Sequence, residues 1–234
     1  MSQDIVVELG LLSEVDGSAK LLMNSTNVLC AVTGPVEPKA RQELPTEMAL
    51  EVIVRPAKGV PTPREKYLED KIRAIFTPLI TRHKYPRQLC QITCQIMEAG
   101  ENEQLHNQKE LSACVNSALL ALVNAGVALN DLAAAVTIAV IDDQSQENKA
   151  QYIIGPSDEE LEKSSSVHTI AMEVGDNGKK VKRVLLIESN GIFNDKVIFD
   201  ILELSESACL NLCSNWRGVL TKHIQKELDL QVAN

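Results

Sequence analysis

Residues 133–141 read Ala-Ala-Ala-Val-Thr-Ile-Ala-Val-Ile, with Thr137 the lone polar side chain. A helix needs about 20 apolar residues to cross a bilayer, so this run is too short to span one. An almost wholly apolar run of strand length suits a central strand buried on both faces of a sheet. That requirement constrains everything else, because each face must be covered, and helices with one apolar face are the elements that do so.

The chain contains such helices. Thr62-Pro63-Arg64-Glu65 is a helix start, with Thr as N-cap, Pro at the first helical position and Glu reaching back to close a capping box. Leu68, Ile72, Ile75, Phe76 and Leu79 follow at helical spacing as one stripe, leaving Lys66, Lys71 and Arg73 away from it. A second helix starts at the N-cap Asn107, with Glu110 three residues on as a further capping box. Its apolar face is Leu111, Val115, Ala118, Leu119 and Leu122, Gly126 ends it, and the small residues Ala118, Ala121 and Ala125 permit close packing. Ser157-Asp158-Glu159-Glu160 reads as the start of a short capped helix. A long last helix begins near Asn194 and carries Val197, Ile198, Ile201, Leu204, Cys209, Leu212, Trp216, Val219 and Leu220 on its apolar face.

Strands fill the remainder. Ile5 to Leu12, Ala19 to Met23, Asn27 to Val36 and Met48 to Arg55 read as a β-meander, with a turn at Asp16-Gly17-Ser18. Leu89 to Met97 is a fifth strand; Val167 to Val174 and Val181 to Glu188 flank the hairpin signal Asp176-Asn177-Gly178. The polar run Asp142 to Lys149 reads as a loop. No Pro/Gly-rich linker separates these segments, so residues 1–234 are expected to form a single α/β domain with helices packed on sheet.

Aromatic residues make up only 3% of the chain, so the core is built from Leu, Ile, Val and Ala, and few rings remain to stack on bases. The start, Met1-Ser2-Gln3-Asp4, lacks the basic segment of a secretory signal, which makes cytosol or nucleus the expected compartment. In that setting six cysteines read as free core thiols. Cys90 and Cys94 share a strand face at a separation of about 13 Å, too far to chelate one metal. Cys209 and Cys213 have a helical spacing that would chelate, but no second pair stands at a ligand spacing, so no metal and no cofactor is expected. Walker loop, dinucleotide fingerprint, nucleophile elbow and paired-His zinc helix are all missing from the sequence. His83, His106, His168 and His223 are scattered, with no Ser or Cys nucleophile at a recognisable spacing.

A net charge of −9 argues against indiscriminate nucleic-acid binding, but the charge is unevenly spread. Residues 55–87 hold nine basic side chains (Arg55, Lys58, Arg64, Lys66, Lys71, Arg73, Arg82, Lys84 and Arg87) against three acidic ones, a surplus of +6 that leaves −15 on the rest.

Several segments taken in order resemble the RNase PH family, and specifically the RNase PH-like subunits of the eukaryotic RNA exosome ring. They are Asp16-Gly17-Ser18, Val28-Leu29-Cys30-Ala31-Val32-Thr33-Gly34-Pro35, Glu37-Pro38-Lys39-Ala40-Arg41-Gln42-Glu43-Leu44-Pro45, Arg55-Pro56-Ala57-Lys58-Gly59, Tyr85-Pro86-Arg87-Gln88-Leu89 and Leu120-Ala121-Leu122-Val123-Asn124-Ala125-Gly126. The resemblance runs over nearly the whole chain and implies an RNase PH-like two-layer α/β fold, with helices packed on a mixed β-sheet. It further implies assembly into a six-membered ring around an RNA channel. Partners would be other RNase PH-like ring subunits, RNA-binding cap subunits and a catalytic nuclease subunit, acting on single-stranded RNA in nucleus, nucleolus and cytoplasm, away from membranes.

Active members of this family hold inorganic phosphate at a helix start through a Gly-rich Asp-Gly-Gly-Thr-Arg-like segment, with aspartates near the reacting phosphodiester. A helix N-terminus suits an anion because its N–H groups are unpaired. The corresponding segment here is Asn107-Gln108-Lys109-Glu110-Leu111, with neither glycine nor arginine and with an added carboxylate. The aspartate-rich segment corresponds to Lys163-Ser164-Ser165-Ser166, which has no carboxylate. Asp158, Glu159, Glu160 and Glu162 are either a displaced acidic cluster or a favourable helix first turn. The resemblance thus implies a chain without catalytic residues. It also carries over Arg64, and Arg87 as a second arginine near that phosphate site; Lys58 and Arg82 complete the candidate RNA-binding set, for which a solvated face or ion pairs to a neighbouring subunit is the competing reading. A residual phosphorolytic or metal-dependent exoribonuclease, or a self-assembling scaffold without RNA contact, are the alternative functions.

Overall fold

The computed structural model describes residues 5–142, 150–175 and 178–232. Two sheets are present among the described residues. The first contains β1 (Ile5–Leu9), β2 (Gly17–Met23), β3 (Thr26–Val36), β4 (Ala49–Arg55) and β5 (Leu89–Glu98) in the spatial order β1-β2-β3-β5-β4. The second contains β6 (Leu132–Asp142), β7 (Ala150–Ile154), β8 (Ser166–Gly175) and β9 (Lys180–Gly191) in the order β7-β6-β8-β9, all antiparallel. The helices are α1 (Pro63–Leu79), α2 (Gln108–Asn124), the short α3 (Asp158–Lys163) and the long α4 (Asp195–Val232).

The expected meander holds for β1, β2 and β3 and fails at β4, because β5 inserts between β3 and β4. β4 runs parallel to β5, Ala49 opposite Leu89 and Arg55 opposite Gln95, whereas β3 and β5 are antiparallel. The first sheet is therefore mixed. A parallel pair needs a crossover, and α1 supplies it, laying Leu68, Ile72, Ile75, Phe76 and Leu79 onto the sheet.

β6 occupies the interior of the second sheet, as its apolar run demands, between β7 and β8. β7 has no counterpart among the expected strands: only Tyr152-Ile153-Ile154 is strongly apolar, directly after a polar run. Most of the expected loop Asp142 to Lys149, and Asp176 and Asn177 of the hairpin signal, lie outside the described residues.

α2 packs on β2, β3 and β5 of one sheet and on β6 and β8 of the other, so every residue from Gln108 to Leu122 is buried. One apolar face was the expectation; two sheets close over the helix instead. Gly17 belongs to β2 rather than to a turn, and its packing explains the residue: a Cβ there would lie 2.4 Å from Ala121 O and Ala125 N. The α2 polar side chains are matched individually. Asn116 donates to Ala135 O and accepts from Ala135 N, both at 2.8 Å, and the Gln108 carbonyl accepts from Thr137 and Thr169 of β6 and β8 at 3.0 and 3.1 Å. Unsatisfied polar groups at such depth would each cost about 1–3 kcal/mol, so these bonds fix the start of α2 against the second sheet.

Candidate nucleic-acid interface

The start of α2 lies next to the C-terminal end of β5, where a phosphate site is implied by the resemblance. Asn107 is the residue before the helix, but its side chain makes no capping bond. Its own N–H donates to Gln108 Oε1 at 3.0 Å. The acceptor for the helix comes from outside the expected segment: Glu101 takes the N–H of Lys109 on Oε2 at 3.2 Å and that of Glu110 on Oε1 at 2.9 Å. The expected capping box between Asn107 and Glu110 is therefore absent, and a loop carboxylate, only 7% exposed, performs its task.

Glu110 turns instead toward α1. Its Oε2 lies 2.6 Å from Arg64 Nη1, while Arg64 Nη2 donates to His106 O at 2.9 Å and Nη1 lies 3.4 Å from Glu65. Burial works against the Arg64 charge, but the carboxylates of Glu110, Glu101 and Glu65 together outweigh it and hold Arg64 above the usual arginine range. Burial pushes the Glu110 carboxyl up, with Arg64 opposing. Burial also pushes Glu101 up to about 7, against the backbone N–H of Glu110, and the Glu110 charge adds to the rise. Lys109, 5% exposed, points Nζ at Gly100 O, at Ser25 Oγ (2.8 Å) and at Asp158 (3.2 Å). Leu111 is fully buried.

The four candidate RNA-binding residues divide between two ends of the sheet. Lys58, exposed, follows the C-terminal end of β4, and Arg64 opens α1 at the same end. Arg82 and Arg87 flank the N-terminal ends of β4 and β5. Ten residues of β5 separate the two ends, a length of about 30 Å. Arg87 is thus not near the start of α2 in this chain, contrary to the expectation, because the site stands at the far end of the strand that Arg87 precedes.

The basic surplus of residues 55–87 is largely matched by carboxylates that lie elsewhere in the sequence. Arg64 pairs with Glu110, Lys71 with Glu188 at 2.7 Å, Arg82 with Glu47 at 2.9 Å and Arg87 with Glu43. Arg82 also donates through Nε to Met48 O at 2.8 Å. Lys66 and Arg73 pair within α1, with Glu69 and Asp70. Arg55, Lys58 and Lys84 remain exposed.

Of the acidic residues before β8, Asp158 is bound to Lys109 and Glu160 closes the α3 capping box with Ser157. The three serines that follow Lys163 are used internally: Ser164 Oγ donates to Leu161 O at 2.7 Å, Ser165 Oγ to Val140 O at 3.1 Å, and Ser166 Oγ lies 2.9 Å from His168 Nε2. His168 is buried, with Ser189 Oγ 2.8 Å from Nδ1 and Phe193 edge-on at 4.8 Å, and burial lowers its pKa. All six cysteines are free and buried; Cys30 and Cys94 face each other across β3 and β5 with sulfurs 3.7 Å apart. Among the described residues no group of three or more His, Cys, Asp or Glu is placed to hold a metal, and no helix is long and apolar enough to cross a membrane.

Glu101 is the site residue that spacing does not reveal. It lies six residues ahead of the N-cap, in a loop, and no local motif joins it to the helix it caps.

Residues 1–128 match the model of the 3′ exoribonuclease family, domain 1 (RNase PH), and residues 131–208 match domain 2 of the same family. The chain is 55% identical over 224 residues to the exosome complex component RRP46 of Saccharomyces cerevisiae, covering 96% of this chain and 98% of that protein. It is 30% identical over 195 residues to exosome complex component rrp46 of Schizosaccharomyces pombe, covering 83% and 80%. The crystal structure of rice Rrp46 superposes with a TM-score of 0.79 at 20% identity, covering 94% of this chain and 96% of the other, and so shares the fold. The family matches over both halves and the near-complete alignment with the budding-yeast protein together establish that the chain belongs to the RNase PH 3′ exoribonuclease family.

Proposed function

We propose that the chain is a non-catalytic subunit of the RNA exosome core ring, supporting 3′-to-5′ RNA processing by a nuclease carried on another subunit. The observation that carries this reading is the 55% identity with a yeast exosome component across 98% of that protein's length. The site supports it further: the Lys109 and Glu110 N–H groups, the Lys109 ammonium and the Arg64 guanidinium are each engaged by a carboxylate of the chain itself. Its partners are other RNase PH-like ring subunits, RNA-binding cap subunits and the nuclease, in nucleus, nucleolus and cytoplasm. The reading of residues 1–234 as one RNase PH-like domain is supported by the apolar cluster that continues from the first sheet through α2 into the second.

Purified chain incubated with single-stranded RNA, with and without phosphate, tests the reading. No release of nucleoside diphosphates is expected; phosphate-dependent release overturns it. Guidance of RNA by the exposed Lys58 and Arg87 belongs to the same proposal, whereas Arg64 and Arg82 are engaged by Glu110 and Glu47. Exposed ion pairs contribute only about 0–1 kcal/mol, so Arg87, 72% exposed, can exchange Glu43 for an RNA phosphate at small cost. Charge reversal at Arg87 and Lys58 in the assembled ring should weaken RNA crosslinking and flatten its salt dependence. Unchanged crosslinking leaves only the structural role.

A further inference from the structure

At the start of α2 the N–H groups of Lys109 and Glu110, the Lys109 ammonium and, reaching in from α1, the Arg64 guanidinium attract an anion. Each has a carboxylate of this chain on it. Glu101 spans both N–H groups, Asp158 meets Lys109, and Glu110 meets Arg64. The three carboxylates differ in depth. Asp158 is 58% exposed in its side chain and sits at the rim, whereas Glu101 and Glu110 lie inside.

We propose that Glu101 is an internal plug, a carboxylate built into the 99–107 loop that occupies the α2 N-terminus and closes this end of the protein to phosphate oxyanions. This rests on the reading of the chain as non-catalytic and supplies a physical cause for it. A phosphate oxygen entering the site would need the two N–H groups that Glu101 already uses. Both anions cannot share them at bonding distance, and the tethered carboxylate has no translational freedom left to lose, so it competes better than a free ion. Glu110 adds a second lock by neutralising Arg64, the guanidinium suited to bind the remaining phosphate oxygens in a bidentate manner. Loss of the glycine and arginine of the active family members is therefore only part of the closure. The main-chain donors of Lys109 and Glu110 are still present, but filled.

The test is a titration of isotope-labelled full-length chain with inorganic phosphate at constant ionic strength, following the backbone amide signals of Lys109 and Glu110. In the wild-type chain millimolar phosphate should leave both unmoved. In the variant Glu101→Ala with Glu110→Gln the same two amides should shift saturably. Saturable shifts in the wild-type chain overturn the plug, as does a folded double variant whose amides stay still. If the double variant fails to fold, Glu101→Ser, which keeps the Arg64–Glu110 pair, carries the same titration. A short single-stranded RNA replaces phosphate in a parallel arm, and movement of the same amides in the wild-type chain again overturns the plug. Nucleoside diphosphate release by a wild-type chain with silent amides would sink the non-catalytic reading and leave the plug standing. Amide shifts without release would do the reverse.

Discussion

Helices α1 and α2 open on the same local pattern, a polar N-cap with Glu at the third helical position: Thr62 and Glu65 in one, Asn107 and Glu110 in the other. In α1 the pattern closes on itself. Thr62 Oγ1 accepts from Arg64 N at 3.3 Å, and Glu65 Oε2 accepts from Thr62 N at 2.6 Å. In α2 neither half forms: Asn107 caps nothing, Glu110 reaches across to Arg64, and Glu101 takes the free N–H groups. The difference follows from burial. At the start of α1 Thr62 and Pro63 are exposed and a local box supplies the acceptor; the start of α2 is enclosed between two sheets, where a charge from Arg64 is within 2.6 Å. Similar sequence signals thus produce a self-contained cap in α1 and a long-range network in α2.

The comparison breaks most sharply at Arg64. Removing one partner of a buried ion pair leaves the other uncompensated, at a cost of about 3–5 kcal/mol. Arg64 keeps some exposure, 21% in its side chain, while Glu110 has none, so Arg64→Ala should cost roughly 3 kcal/mol in chemical denaturation. Adding Glu110→Gln should restore most of it, because the stranded charge is then gone. If the double variant is no more stable than Arg64→Ala, the Glu110 charge is not what Arg64 holds in place.

Next in size is a pH effect. Glu101 titrates near 7 in the folded chain against an ordinary 4.5, so the folded protein takes up a proton over that window that the unfolded chain does not. The resulting stabilisation is complete below the unfolded value and is lost as the pH rises through about 7. Lowering the pH from about 8 to about 5 should therefore stabilise the wild-type chain relative to Glu101→Gln by about 2 kcal/mol. Glu65 and Glu160, whose pKa values are lowered, pull the other way in both proteins and cancel in the difference. Parallel pH profiles for the two proteins would mean that burial does not raise the Glu101 carboxyl above its ordinary range.

Much of the fold is readable from short-range pattern, and the exceptions share one cause. The apolar run at 133–141, the stripe from Leu68 to Leu79 and the Thr62 cap each state their own structure, because burial or capping is decided within a few residues. The place of β4 beyond β5 is set by a pairing across forty residues, Ala49 with Leu89, which periodicity does not encode. The candidate site behaves likewise. The resemblance singles out Lys109 and Glu110, but the partners that decide their chemistry, Glu101, Arg64 and Asp158, approach from a loop and two other helices. The basic surplus of residues 55–87 is a sum over one stretch, whereas Glu43, Glu47, Glu110 and Glu188, which offset it, lie outside that stretch.

The smallest effects separate the two helix starts most directly. Thr62→Ala removes a side-chain acceptor from α1 and should cost about 1 kcal/mol, the usual loss for an N-cap. Asn107→Ala removes the same residue class from the same position of α2, yet no capping bond goes with it. Its cost should stay within about 0.5 kcal/mol, the range of a substitution that breaks no specific contact. Denaturation midpoints of the two variants, measured side by side at one pH, provide the check. Equal losses would mean that Asn107 caps α2 in solution and that Glu101 shares the helix start with it; a loss confined to Thr62→Ala leaves the α2 N–H groups to Glu101 alone.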